Sequence, residues 1–173
     1  MKKLLMTAAL LVVGATAFGA TAPVSVSLSV VETSQLVIMD GGNQLTQIDL
    51  THPEILLSSA QKQSTPSVVH QNFRVQTGDG SDIKVSGNDP TNIDYTLEGV
   101  AAGTGVLQLT GASGRTLEST LTLALATEAI STGTSIKEGS QNTITSTITS
   151  NALNALTGPG TYTGAARLKV VAR

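Results

Sequence analysis

Between Val24 and Val30 every even position is apolar and every odd one is serine: Val24-Ser25-Val26-Ser27-Leu28-Ser29-Val30. Successive strand side chains point to opposite faces, so this stretch buries one clean face only as a β-strand. The far end of the chain repeats the pattern. From Gly160 onward, Tyr162, Gly164, Ala166, Leu168, Val170 and Ala172 share one parity, while Thr161, Thr163, Arg167, Lys169 and Arg173 share the other. Gly158, Pro159 and Gly160 punctuate the chain just before this second strand, because glycine permits positive φ and proline cannot continue a ladder from within.

The residues between the two ends carry the same period. Val31 to Met39 continues the first strand or forms a second, closed by the turn signal Asp40-Gly41-Gly42-Asn43. Leu45, Ile48 and Leu50 are spaced for a short segment, which His52-Pro53-Glu54 is expected to break. Ile55 to Leu57 is a brief apolar run, and Ser58 to Ser67 is polar and loop-like. Val69 to Thr77 alternates, Gly78-Asp79-Gly80-Ser81 makes a tight connection, and Ile83 and Val85 are expected to carry the return strand of a β-hairpin. Ile93, Tyr95 and Leu97, then Val106 to Leu109, mark two more strands. Leu117, Ser119, Leu121, Leu123 and Leu125 define a long alternating one. Glu128 to Asn142 is polar and irregular, Ile144 and Ile148 sit among threonines as a further strand, and Asn151 to Leu156 is the one helical turn expected after the start of the chain. Seven or so strands with Gly-rich turns and no helical period predict an all-β protein, an antiparallel β-sandwich rather than a closed barrel.

Met1-Lys2-Lys3, the apolar run Leu4 to Val13 and the small residues of Gly14 to Ala22 have the three-part layout of a secretory signal peptide, over residues 1–20 with the cut between Ala17 and Ala22. The apolar run is about ten residues, half the roughly twenty that span a bilayer, so no membrane span is expected in the mature chain. About 150 residues remain, enough for one domain with a core. That core has no cysteine to help it, which removes disulfides, thiolate metal sites and cysteine nucleophiles together. Phe18, Phe73, Tyr95 and Tyr162 are the only aromatics and there is no tryptophan, a poor endowment for a stacking site. A net charge of −2 without a basic cluster argues against nucleic acid.

Chemistry-bearing residues are sparse. His52 and His70 are the only imidazoles, neither has a partner at metal-ligand spacing, and each reads as a solvated or edge residue. No Gly-x-Ser-x-Gly elbow singles out a serine, and the carboxylates are scattered, so neither a serine hydrolase nor a glycosidase pair can be named. Asp79 and Asp82 in their glycine turn could offer oxygens to calcium, but the fuller ligand set is missing and a hairpin turn is the better account. No enzyme activity, metal or cofactor is expected.

The two ends together resemble a fimbrial (pilin) subunit of the chaperone–usher type, closest in character to the disulfide-free, colonisation-factor-like branch. The likeness rests on Gly160, fourteenth from the end, followed by Tyr162, Gly164, Ala166, Leu168 and Val170, and on the leading ribbon Val24, Val26, Leu28 and Val30. Ala172 departs from the family's penultimate aromatic. The resemblance implies an incomplete immunoglobulin-like sandwich over residues 32–173, with residues 21–31 as a donor-strand extension. It also implies export through the periplasm to a cell-surface fimbria. The partners would be a periplasmic chaperone, an outer-membrane usher and identical or related subunits, polymerising by donor-strand exchange, a form of β-augmentation. The rival reading is a self-contained exported β-sandwich, a surface adhesin or periplasmic binding module, in which Val24 to Val30 pairs within its own sheet.

Overall fold

The alternation at the front of the chain becomes strand β1, Thr21–Val31, the first of eleven strands among the described residues. The computed structural model describes residues 21–31, 36–56, 65–156, 158 and 160–173; the export signal expected over residues 1–20 and most of the polar stretch 58–67 lie outside them. After β1 come β2 (Leu36–Asp40), β3 (Asn43–Leu45), β4 (Gln47–Leu56), β5 (Ser67–Thr77), β6 (Asn92–Glu98) and β7 (Val106–Thr110). A 3₁₀ turn at Ala112–Gly114 leads into β8 (Thr116–Leu123), β9 (Thr127–Ala129) and β10 (Asn142–Ile148), then helix α1 (Ser150–Ala155) and β11 (Tyr162–Ala172).

The protein is all-β, as its period predicts. Two layers form. One runs β3-β2-β5-β10-β8-β7, the other β4-β1-β11-β6-β9, and a single residue pair, Thr163 with Thr110, joins β11 to β7 at the corner. Alternate side chains meet between the layers: Val24, Val26, Leu28, Ile48, Leu50, Ile93, Tyr95, Leu168 and Val170 from one, Ile38, Phe73, Val75, Leu107, Leu109, Leu117, Leu121, Ile144 and Ile148 from the other. Phe73 and Tyr95 touch edge to face, ring centroids 6.0 Å apart. Leu153 of α1, capped by the Thr149 hydroxyl accepting from the Ala152 N–H, adds to the same core.

The pairing departs from expectation in three places, each with a local cause. The sheet is mixed rather than antiparallel. β1 runs antiparallel to β4 and parallel to β11, and because its two flanking strands run in opposite directions, any strand between them must pair parallel with one. His52-Pro53-Glu54 does not end a strand: β4 runs through it, because β4 is the outermost strand of its layer and the register shifts opposite Ala22 and Val24. An edge and a bulge are where a strand tolerates proline.

Finally, Ile83 and Val85 form no return strand. β5 pairs with β10 and β2 instead, and Val85 keeps only an isolated bridge to Asn88. The turn does close, with the Gly80 N–H donating to the Thr77 carbonyl, but the Ile83 N–H goes to Ile136 at 2.8 Å and its side chain enters the core.

Beyond Leu123, β8 stops, and the buried Asn142 takes over its ladder. Its amide donates to the Leu125 carbonyl at 2.9 Å and accepts from the Leu125 N–H at 3.0 Å, a side chain doing the pairing of a strand neighbour.

Candidate functional site

The two alternating ends lie side by side. Val24 is opposite Tyr162, Val26 opposite Gly164, Leu28 opposite Ala166 and Val30 opposite Leu168. On its other side β1 lays Val24 against His52, Val26 against Leu50 and Leu28 against Ile48. β1 thus fills a seam between β4 and β11, and it supplies both of them with main-chain partners. Its inward side chains Val24, Val26 and Leu28 are 1, 0 and 0 % exposed; Val30, near the strand end, is half-buried against the core.

Outward, Ser27 of β1 makes polar contacts. The Ser27 hydroxyl donates to the Asp49 carboxylate, which also accepts from the Gln47 amide at 2.7 Å. Those two donors, Ser27 foremost, hold the Asp49 carboxyl below the usual carboxylate range.

The β11 wall of the seam is shaped by small residues at chosen places. Tyr162 is 1 % exposed, its hydroxyl donates to the Gly158 carbonyl at 3.3 Å, and its ring lies over Gly111, where a Cβ would come within 2.6 Å of it. Gly164 is open on its inner side so that Leu107 and Leu109 of β7 can approach; a Cβ there would stand 2.5 Å from Leu109 Cδ2 and 3.1 Å from Leu107 Cδ2. Gly160 lies two residues before β11 with φ of 141° and Ala112 against it. Ala166, Leu168 and Val170 continue the buried parity, and the outer half of β11 pairs with β6. Because Leu109 is fully buried and cannot swing aside, Gly164→Ala is expected to lower stability by about 1–3 kcal/mol through overpacking, read as an earlier midpoint in chemical denaturation.

A second constellation was not legible in the sequence. His52 is on an edge strand but is not solvated. It points inward, 3 % exposed, and both ring nitrogens have partners: Nδ1 lies 2.9 Å from Ser67 Oγ and Nε2 2.8 Å from Ser146 Oγ. Ser146 Oγ is in turn 2.6 Å from Ser119 Oγ. This chain crosses from β4 to β5, β10 and β8 and ties the layers together. Burial pushes the His52 imidazole below its ordinary pKa. Ser119 and Ser146 sit at inward positions among Leu117, Leu121, Ile144 and Ile148, and those inward hydroxyls are the signal that a polar partner waits in the core. With Ser119, Ser146 and the imidazole sealed from solvent, Ser67 half-buried and no carboxylate among the described residues orienting the ring, the geometry is that of a structural tether rather than of an activated nucleophile.

His70, by contrast, is exposed, and with Asp49, Leu50, Thr51, Val68 and Val69 it lines an open surface cleft of about 430 Å³ between β4 and β5. No group of three or more His, Asp or Glu side chains able to hold a metal ion occurs among the described residues, and Asp82 is engaged by the Ser135 hydroxyl. No helix of the described residues is long and apolar enough to cross a membrane. Compared with known proteins, the chain matches no protein-family model and no curated sequence.

Proposed function

We propose that this protein is a structural subunit of a surface fimbria, an immunoglobulin-like pilin that polymerises by donor-strand exchange after capping by a periplasmic chaperone and delivery through an outer-membrane usher. The observation that carries the reading is the seam. A short ribbon with four alternating apolar side chains fills a slot between β4, which has no other strand neighbour among the described residues, and β11, which pairs with β1 along one edge and with β7 and β6 along the other. A slot of that kind accepts any strand with the same alternation, and an empty one is an aggregation hazard that selects for a cap. The ribbon from one subunit and the slot of the next are then complementary by construction, and a linear polymer results.

One observation favours the rival reading, a self-contained exported β-sandwich: β1 lies in its own chain's seam. The two readings separate in one experiment. The purified exported chain is incubated alone and with a fluorescent peptide spanning residues 21–31. Assembly by exchange gives multimers that resist SDS without heating, and the peptide enters the seam and shortens them. A monomer that takes up no peptide and forms no multimers leaves the self-contained domain.

A further inference from the structure

We propose that the hydrogen-bonded chain Ser67–His52–Ser146–Ser119 is a proton-operated latch on the β1 seam: neutral His52 holds β4 against the facing layer, and its protonation loosens β4 and releases β1. The latch concerns β1 in its own seam and holds under either functional reading.

The placement is what makes the chain a latch. β4 is the outermost strand of its layer, so along its length it is held by β1 on one side and by whatever it reaches across the core. Ile48, Leu50 and Ile55 pack into the core, and His52 is the hydrogen-bonded part of that reach, joined to β5 through Ser67 and to β10 through Ser146; it is also the residue paired with the buried Val24 of β1. The adjacent register shift, at Pro53 and Glu54, interrupts the ladder between His52 and Ile55, so the tether sits beside a break in the main-chain pairing.

Adding a proton would not break the hydrogen bonds, because both imidazole N–H groups can donate to serine hydroxyls and Ser146 can pass its own hydrogen to Ser119. What is missing is a counter-charge. From β1 only Pro23, Val24 and Ser25 lie alongside. β5 offers Ser67, Val68 and Val69, with His70 exposed; β8 offers Leu117, Ser119 and Leu121, with Glu118 exposed on the opposite face; β10 offers Ile144, Ser146 and Ile148. On β4 itself Asp49 and Glu54 are both exposed. No carboxylate among the described residues faces the ring, so an imidazolium there is a buried cation without a pair, and the layer contact bears the cost.

The direction comes from linkage. The closed state holds His52 below its ordinary value of 6.5, so across the window beneath that value the open state binds more protons. The closed seam is therefore most stable above about pH 6.5 and weakens as the pH falls. For one proton and an open-state value near 6.5, the opening constant rises from pH 7.5 to pH 5.5, by at most about ten-fold.

The test is amide hydrogen exchange of Val24 to Val30 in the folded chain at those two pH values, corrected for intrinsic exchange, in the native protein and in His52→Gln and His70→Gln. The expected result is faster exchange at pH 5.5, by up to about ten-fold, in native protein and in His70→Gln and its absence in His52→Gln. A direct NMR titration of His52 in the native chain accompanies it, so a poorly folded variant does not remove the test. An unchanged pH response in His52→Gln, no response in the native chain, or a His52 that titrates at its ordinary value overturns the proposal.

Discussion

A chain shortened to begin at residue 32 is expected to lose its folded state, and to regain it when a peptide of residues 21–31 is supplied. Removing β1 uncovers the sites of Val24, Val26 and Leu28, all essentially inaccessible to water. At about 1.5–3 kcal/mol for each buried side chain, the loss is roughly 5–9 kcal/mol before any main-chain pairing is counted. That is comparable to the whole stability of a typical domain, about 5–15 kcal/mol. The two bared strand edges add to the loss, because β4 and β11 pair with β1 over eight residues each. Circular dichroism of the shortened chain with and without equimolar peptide reads the result. A shortened chain that folds and stays monomeric alone would mean that β1 is an accessory strand.

The second large effect is expected at Tyr162. Truncation to alanine should cost about 3–5 kcal/mol, the range for deleting a buried aromatic ring, because the space it leaves is walled by backbone at Gly111 and by the partner Val24. Tyr162→Phe removes only the hydroxyl, whose bond to Gly158 is long at 3.3 Å, and should cost about 0.5–1.5 kcal/mol. The two denaturation midpoints decide between ring and hydroxyl. A loss in Tyr162→Phe as large as in Tyr162→Ala would place the contribution in the hydrogen bond.

Local features are the ones that the sequence alone discloses. The parity of Val24 to Val30 and of Tyr162 to Val170 needs only a period of two, and both faces are buried as that period demands. The turn at Gly78 to Ser81 is legible for the same reason, since glycine and aspartate set it within four residues. The partner of the segment after that turn is not: Ile83 looks like a return strand until Ile136, 53 residues on, takes its N–H. Pro53 breaks strands in general, and only the position of β4 at the rim of its layer lets it pass. His52 is the sharpest case, because its hydroxyl partners lie 15 and 94 residues away and nothing near it in sequence distinguishes a tether from a solvated side chain. The direction of β1 was equally hidden. Its flanks run oppositely, so reversing the ribbon would only exchange which flank is parallel, and main-chain pairing alone does not select between the two orientations.

The scarcity of aromatic rings has a practical side. The chain has two tyrosines and no tryptophan, and one of those two phenols, Tyr162, stands in register with the first buried valine of the leading ribbon. Near-ultraviolet dichroism and phenol emission from the unlabelled protein therefore come from very few chromophores, one of them set into the slot wall. Whether that slot is filled, vacated or refilled by a foreign ribbon becomes something to watch in a cuvette, with no dye attached.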